Sequence, residues 1–126
     1  MTLPSTEYDL FTENRPGYFY ARVRAVSLSP QLIPGLFADI RTAILEKRVA
    51  RFLFEFEMAH ALNEDETYEL MNQLTARFPG MRIALVSTDP RHRPLLNLSA
   101  HLGSKTGDDM GSFVDQASAE KWLLED

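Results

Sequence analysis

Alternating apolar and polar positions predict strands in the first half of the chain. Residues 18–26 alternate along their length, as a half-buried strand requires. Residues 51–57 alternate too, with three phenylalanines on one face: Phe52, Phe54 and Phe56. The turn residues Asn14 to Gly17 separate the first of these strands from an apolar run at residues 8–11, so we expect the chain to open with a β-hairpin.

Apolar residues with helical spacing follow both of these strands. Residues 33–44 carry one amphipathic stripe, and its helix is expected to start near Pro30 or Pro34, because either proline fits a first helical turn. Asn63 precedes three acidic residues and a second stripe, which is typical of a helix N-cap. This second helix is predicted to end before Pro79 and Gly80.

The second half of the chain repeats the same order of elements. A strand at residues 81–87 is followed by Asp89 as the cap of a third helix, which is expected to end before Gly103. A short edge strand at residues 110–114 precedes Asp115, which can cap a fourth helix at the C-terminus. With 126 residues and no linker, residues 1–126 are predicted to form a single domain.

Strands that alternate with helices predict an α/β fold. The expected architecture is a mixed, mostly parallel sheet with an N-terminal hairpin and four helices packed mainly on one face. Two strands alternate polar with apolar side chains, so the other face is expected to be relatively open. If those strands are neighbours, two arginines lie across from two glutamates on this face: Arg22 and Arg24 from Glu55 and Glu57.

Composition narrows the functional classes. The formal net charge of −5 argues against nucleic-acid binding, which needs a clustered basic surface. The chain has no cysteine, so it forms no disulfide and offers no thiolate to a metal. No secretory signal and no apolar segment of membrane-spanning length are visible, and a cytoplasmic location is therefore expected.

The order of these elements resembles the STAS superfamily, in particular the bacterial SpoIIAA-like proteins. Four segments carry the resemblance: residues 18–26, 52–56, 83–86 and 119–123. Anti-anti-sigma STAS proteins place a phosphorylatable serine at the start of the helix after the central strand, and Glu64 stands at the corresponding position here. The resemblance therefore implies a partner-binding regulator with a fixed negative charge, or a helix that Glu64 merely helps to begin.

The SpoIIAA-like branch also lacks that serine, and its relation to lipid-carrying folds implies a hydrophobic ligand or a peripheral membrane contact. Leu36 and Phe37 in the first helix, and the leucine-rich residues 95–98, are the candidate surfaces for such a ligand. The alternative is that both segments belong to the core, since helices of this kind normally bury their apolar stripes.

Polar residues that follow the parallel strands form the best candidate site, because ligands of open α/β sheets bind at the carboxyl ends of the strands. His60, Asn63, Asp89 and His92 are expected to gather there. Arg91 and Arg93 could bind a phosphate or a lipid headgroup near a helix N-terminus. The separation of the two histidines matches no compact metal-ligand motif, so no metal site is predicted.

A binding function is favoured over catalysis, because no phosphate-binding loop, nucleophile elbow or paired-histidine motif occurs in the sequence. We expect a non-catalytic, SpoIIAA-like binding module without a cofactor, which binds an apolar ligand or a protein partner. An anti-sigma-antagonist-like regulator is the alternative, and the formation of a homodimer is left open.

Overall fold

The computed structural model describes residues 2–3, 8–26, 31–45, 50–60, 63–94, 97–98, 101 and 109–125. Six strands within this part of the chain form one sheet in chain order. They are β1 Thr2–Leu3, β2 Tyr8–Arg15, β3 Tyr18–Ala25, β4 Arg51–Met58, β5 Arg82–Val86 and β6 Asp109–Phe113. Antiparallel pairs join β1 to β2 and β2 to β3, and the later pairs are parallel. The predicted hairpin and mixed sheet are confirmed.

Within the described residues, three α-helices can be followed from their first residue to their last. They are α1 Ile33–Leu45, α2 Glu64–Arg77 and α3 Gln116–Leu123. The third predicted helix begins as a 3-10 helix at Pro90–His92, and residues 93–94, 97–98 and 101 are helical as well. The predicted α/β class is therefore confirmed, with three regular helices described where four were expected.

The helix starts follow local hydrogen bonding. Asn63 caps α2 as predicted: its side chain accepts the Glu66 N–H at 2.8 Å, and its own N–H donates to the Glu66 carboxylate at 3.0 Å. Helix α1 starts at Ile33, so Pro34 lies in the first turn, where the missing N–H costs no helical bond. The possible start at Pro30 lies outside the described residues.

Helices α1 and α2 pack on the same face of the sheet. Each of these helices connects one strand to the parallel strand beside it, and the sheet grows in one direction. Right-handed connections then place both helices on the same side of the sheet, as the sequence predicts. The core on this first face contains the three phenylalanines of β4, together with Ile40 of α1 and Leu74 of α2. Phe78, just after α2, packs its ring against that of Phe52, with 5.3 Å between the ring centres and a tilt of 50°.

Helix α3 covers part of the second face, which was expected to be relatively open. Helix α3 follows the last strand and does not connect two parallel strands. The handedness of such connections therefore does not restrict it to the first face. Ala119 and Leu123 pack there on Tyr18, Tyr20 and Leu53, and all five side chains are buried. No helix among the described residues has the length and hydrophobicity needed to span a bilayer.

Candidate functional site

The loops at the carboxyl edge of the sheet contact one another. The guanidinium of Arg91, in the 3-10 helix after β5, donates to the Ala59 carbonyl after β4 at 3.2 Å. The His60 N–H donates in turn to the carbonyl of Val26, after β3, at 2.9 Å. The structure therefore brings the ends of β3, β4 and β5 together into one rim, where the sequence placed the candidate site.

Asp89 and Arg91 form the strongest polar contact of this rim. Two guanidinium nitrogens of Arg91 lie 3.0 Å and 2.6 Å from the same carboxylate oxygen of Asp89. The Arg91 backbone N–H also donates to Asp89, at 3.0 Å. Hydrogen bonding from Arg91 lowers the pKa of the Asp89 carboxyl to about 2. Asp89 thus stays ionised and neutralises Arg91, which leaves this arginine little capacity for a further anion.

His92 is buried beneath the rim, with 2% of its surface exposed. Its Nδ1 lies 2.7 Å from the Ser87 hydroxyl, and that hydroxyl accepts the Asp89 N–H at 3.2 Å. Which of the two groups donates in the Ser87–His92 contact depends on the ring tautomer, and Nε2 is buried without a hydrogen-bond partner among the described residues. Burial lowers the pKa of His92, so the ring is neutral at physiological pH.

The group of Ser87, Asp89 and His92 holds the loop together. Ser87 is 3% exposed, so its hydroxyl is not open to a substrate. The nearest Asp89 oxygen is 4.0 Å from His92 Nε2 and faces Arg91 instead. No three histidine or carboxylate side chains of the described residues come together in a way that suits a metal ion.

The remaining polar candidates lie at the start of α2 and just before it. His60 is exposed in the loop after β4, and Asn63 is engaged in the helix cap. Glu64 is the first residue of α2 and is exposed to solvent. The structure thus places Glu64 at the exposed first turn of α2.

A small pocket opens beside this rim, between the segment after the 3-10 helix and the junction of β6 with α3. Its volume is about 250 Å³. The described residues that line it are Arg93, Asn97, Ser112, Phe113, Val114 and Ser118. Val114 leaves 44% of its surface exposed, and the Phe113 ring packs 5.4 Å from that of Trp122. The pocket therefore combines an apolar wall with one arginine.

Leu36 and Phe37 lie in the core, away from any surface. Both have 0% exposure, and the Phe37 ring contacts the rings of Phe54 and Phe78 at 5.7 Å and 5.8 Å. The ligand-facing interpretation of this segment is corrected accordingly, because α1 uses these side chains to pack on the sheet. Leu95 and Leu96 lie outside the described residues.

Sequence reasoning missed the residues that give the pocket its apolar character. Residues 110–114 were predicted to form an edge strand, but nothing in the pattern marked Phe113 and Val114 as partly exposed. Their position is the signal that identifies them, since Phe113 ends the last parallel strand and Val114 comes directly after it. Ser87, the partner of His92, follows β5 in the same way.

The comparisons with known proteins agree with this architecture. No protein-family model matches the chain, and no curated protein matches it either. The chain is similar in structure to an uncharacterized protein from the DUF3478 family with a SpoIIAA-like fold, from Shewanella loihica PV-4. The TM-score is 0.60 at 14% sequence identity, and the match covers 98% of this chain and 99% of the other. The predicted resemblance is therefore confirmed for the fold: the chain has a SpoIIAA-like fold.

Proposed function

We propose that this protein is a non-catalytic binding module that holds a small, largely apolar ligand in the pocket between Arg93 and α3. The observation that carries this proposal is the apolar wall of Phe113 and Val114, which is open to solvent at the end of β6. A ligand that covers this wall removes apolar surface from water, which is favourable. The SpoIIAA-like fold supports a binding module in general terms only.

The dimensions of the pocket limit the ligand. Ligand pockets usually measure roughly 300 to 1,000 Å³, and this one, at about 250 Å³, lies just below that range. A short alkyl chain or a single ring suits this volume better than a two-chain lipid. The Phe113 ring supplies a flat apolar surface, and its centre lies 5.4 Å from that of the Trp122 ring.

Trp122 provides a direct reporter for ligand binding, because it is the single tryptophan of the chain and its ring packs on Phe113. We expect titration with 1-octanol to change the Trp122 emission saturably. Val114→Ser should weaken this response, and Ser118→Phe should abolish it by filling the pocket. Val26→Ser is the matched control, since Val26 is 63% exposed at the end of β3 and does not line the pocket.

Two results would contradict the proposal. The first is a parent protein whose emission shows no saturable change with octanol or with other short apolar compounds. The second is a saturable change that survives Ser118→Phe at unchanged affinity, because the compound would then bind elsewhere. Native mass spectrometry of gently purified protein adds an independent test, in which we expect a co-purifying small ligand.

A protein-binding surface at the start of α2 is the second candidate function. Asn63 and Glu66 are engaged in the helix cap, whereas the side chains of Glu64 and Asp65 are exposed and make no hydrogen bond or ion pair with another described residue. These two carboxylates are free to contact a partner. The resemblance to anti-sigma-factor antagonists, in which the regulatory serine stands at the position of Glu64, favours this site over other exposed acidic residues.

A pull-down that compares the parent with Glu64→Ser and Glu64→Ala tests this second candidate. We expect both changes to remove the same partner, and Glu125→Ala, a change of an exposed acidic residue near the C-terminus, to retain it. Identical partner profiles for all four proteins would exclude a role for Glu64.

A further inference from the structure

We infer that the ligand of this pocket is an amphipathic anion, an apolar chain that ends in a carboxylate bound by Arg93. The inference rests on the proposed function and specifies its ligand class. It starts from a difference between two neighbouring arginines. Arg91 is neutralised by Asp89, while Arg93 lines the pocket and its side chain makes no hydrogen bond or ion pair with another described residue.

The other polar groups of the pocket also favour a ligand that carries a hydrogen-bond acceptor. The Asn97 side-chain oxygen accepts the Ser112 hydroxyl at 3.0 Å, which leaves the Asn97 amide N–H groups as donors. No acidic residue occurs among the described residues that line the pocket. The site thus offers a guanidinium and an amide as donors, and a carboxylate is the group that accepts from both.

Because the chain is acidic overall, an anionic ligand needs a positive charge close to its binding site. The formal net charge is −5, so the overall field of the protein does not attract an anion. Arg93 would provide the attraction at short range, beside apolar surface of Phe113 and Val114 that can receive the chain. Binding would then need both parts of the ligand, the head group and the apolar chain.

The test compares three eight-carbon probes that differ only in their head group: octanoate, 1-octanol and octylamine. With Trp122 emission as the readout, we expect octanoate to bind about tenfold more tightly than octanol, as a charge-assisted hydrogen bond to Arg93 implies. Octylamine should bind most weakly. Arg93→Gln should reduce the octanoate affinity to that of octanol, whereas Arg41→Gln, a change of an exposed arginine on α1 outside the pocket, should leave the preference unchanged.

The outcomes separate this inference from the proposed function. Equal affinities of the parent for octanoate and octanol overturn the inference and leave the apolar binding function standing. Unchanged octanoate binding by the Arg93→Gln protein overturns it as well, because another group would then hold the carboxylate. If none of the three probes binds to the parent, the proposed function fails and the inference fails with it.

Discussion

The Tyr20 hydroxyl donates a 2.8 Å hydrogen bond to a carboxylate oxygen of Glu55, in the buried layer between the sheet and α3. The Gln116 side-chain amide, from the first turn of α3, donates to the same oxygen at 2.7 Å. Burial, together with the hydrogen bond to Glu55, raises the pKa of Tyr20 to about 12. One buried carboxylate therefore joins β3, β4 and α3.

Removing this carboxylate should destabilise the fold. Glu55→Ala leaves the Tyr20 hydroxyl and the Gln116 amide without their acceptor in a buried layer, and we expect the free energy of unfolding to fall by about 2 to 3 kcal/mol. Glu55→Gln keeps one acceptor oxygen and should cost less. Urea unfolding followed by circular dichroism measures both changes.

Glu57→Ala is the matched control, because Glu57 lies two residues further along β4 and points to the same face. Its ion pair with Arg24, at 2.8 Å, is about half exposed on both sides, so its removal should cost at most about 1 kcal/mol. Equal losses for Glu55→Ala and Glu57→Ala would show that the buried network contributes nothing beyond a surface charge pair.

The shared face of these arginines and glutamates was predictable from the sequence, but the bonds of Glu55 were not. The sequence predicts that Arg22 and Arg24 lie across from Glu55 and Glu57 if the two strands are neighbours, and the strand pairing has this arrangement. Arg24 does bond to Glu57. Glu55 instead accepts from Gln116, which is 61 residues away along the chain, and no local pattern reveals where a C-terminal helix will pack.

The lengths of two strands could not be predicted from the sequence either. Hydrophobicity marks β2 only as far as Phe11, yet the strand continues to Arg15, which pairs with Tyr18. Backbone pairing with β3 extends it through polar residues, and the tight turn at Gly17, whose φ is 86°, closes the hairpin. Strand β1 has two residues, Thr2 and Leu3, too few to form a recognisable pattern.

The candidate rim was predicted better than the pocket beside it. Positions after the strands suffice to place His60, Asp89 and His92 at one edge, because parallel strands end together. The sequence could not tell that Arg91 is neutralised while Arg93 reaches a pocket, since that depends on how the chain turns through the 3-10 helix.

Arg82 is expected to fix the end of α3 on the sheet. Its guanidinium donates to the Trp122 carbonyl at 2.7 Å and to Asp109 at 3.0 Å, and it lies 4.0 Å from the centre of the Trp122 ring. Arg82→Lys keeps the charge but loses the planar fork, so we expect a loss of about 1 to 2 kcal/mol in the free energy of unfolding. Urea unfolding measures this loss, and the Trp122 emission should shift as its ring becomes more mobile.

Arg41→Lys is the control for this change, because Arg41 is exposed on α1. It should leave both the stability and the Trp122 emission unchanged. An Arg82→Lys protein that matches the Arg41→Lys protein in both readouts would exclude the proposed role of Arg82.

Phe37 is expected to contribute to the stability of the fold and not to ligand binding. It has 0% exposure and packs on Phe54 and Phe78, so Phe37→Ala is expected to lower the free energy of unfolding by about 3 to 5 kcal/mol. Tyr68→Ala, a change of an aromatic residue that is 40% exposed on α2, should cost less than about 1 kcal/mol. Thermal unfolding compares the two, and equal melting temperatures would contradict the core assignment of Phe37.

His92 should make the fold sensitive to acid. Burial lowers its pKa below the ordinary value of 6.5, so the unfolded chain binds a proton at a higher pH than the folded one does. Above that value both states are neutral, and His92 adds no pH dependence. As the pH falls through 6.5, only the unfolded state becomes protonated, and stability declines until the lowered folded pKa is reached.

Urea unfolding from about pH 7.5 to about pH 5.5 measures this decline, which should reach at most about 1.4 kcal/mol for His92. The parent is compared with His92→Gln, so that the contributions of the carboxylates cancel. His60→Gln, which changes an exposed histidine, should keep the full decline of the parent. If His92→Gln loses as much stability over this range as the parent does, the acid sensitivity arises from another group, and the assignment of His92 as a buried neutral ring is wrong.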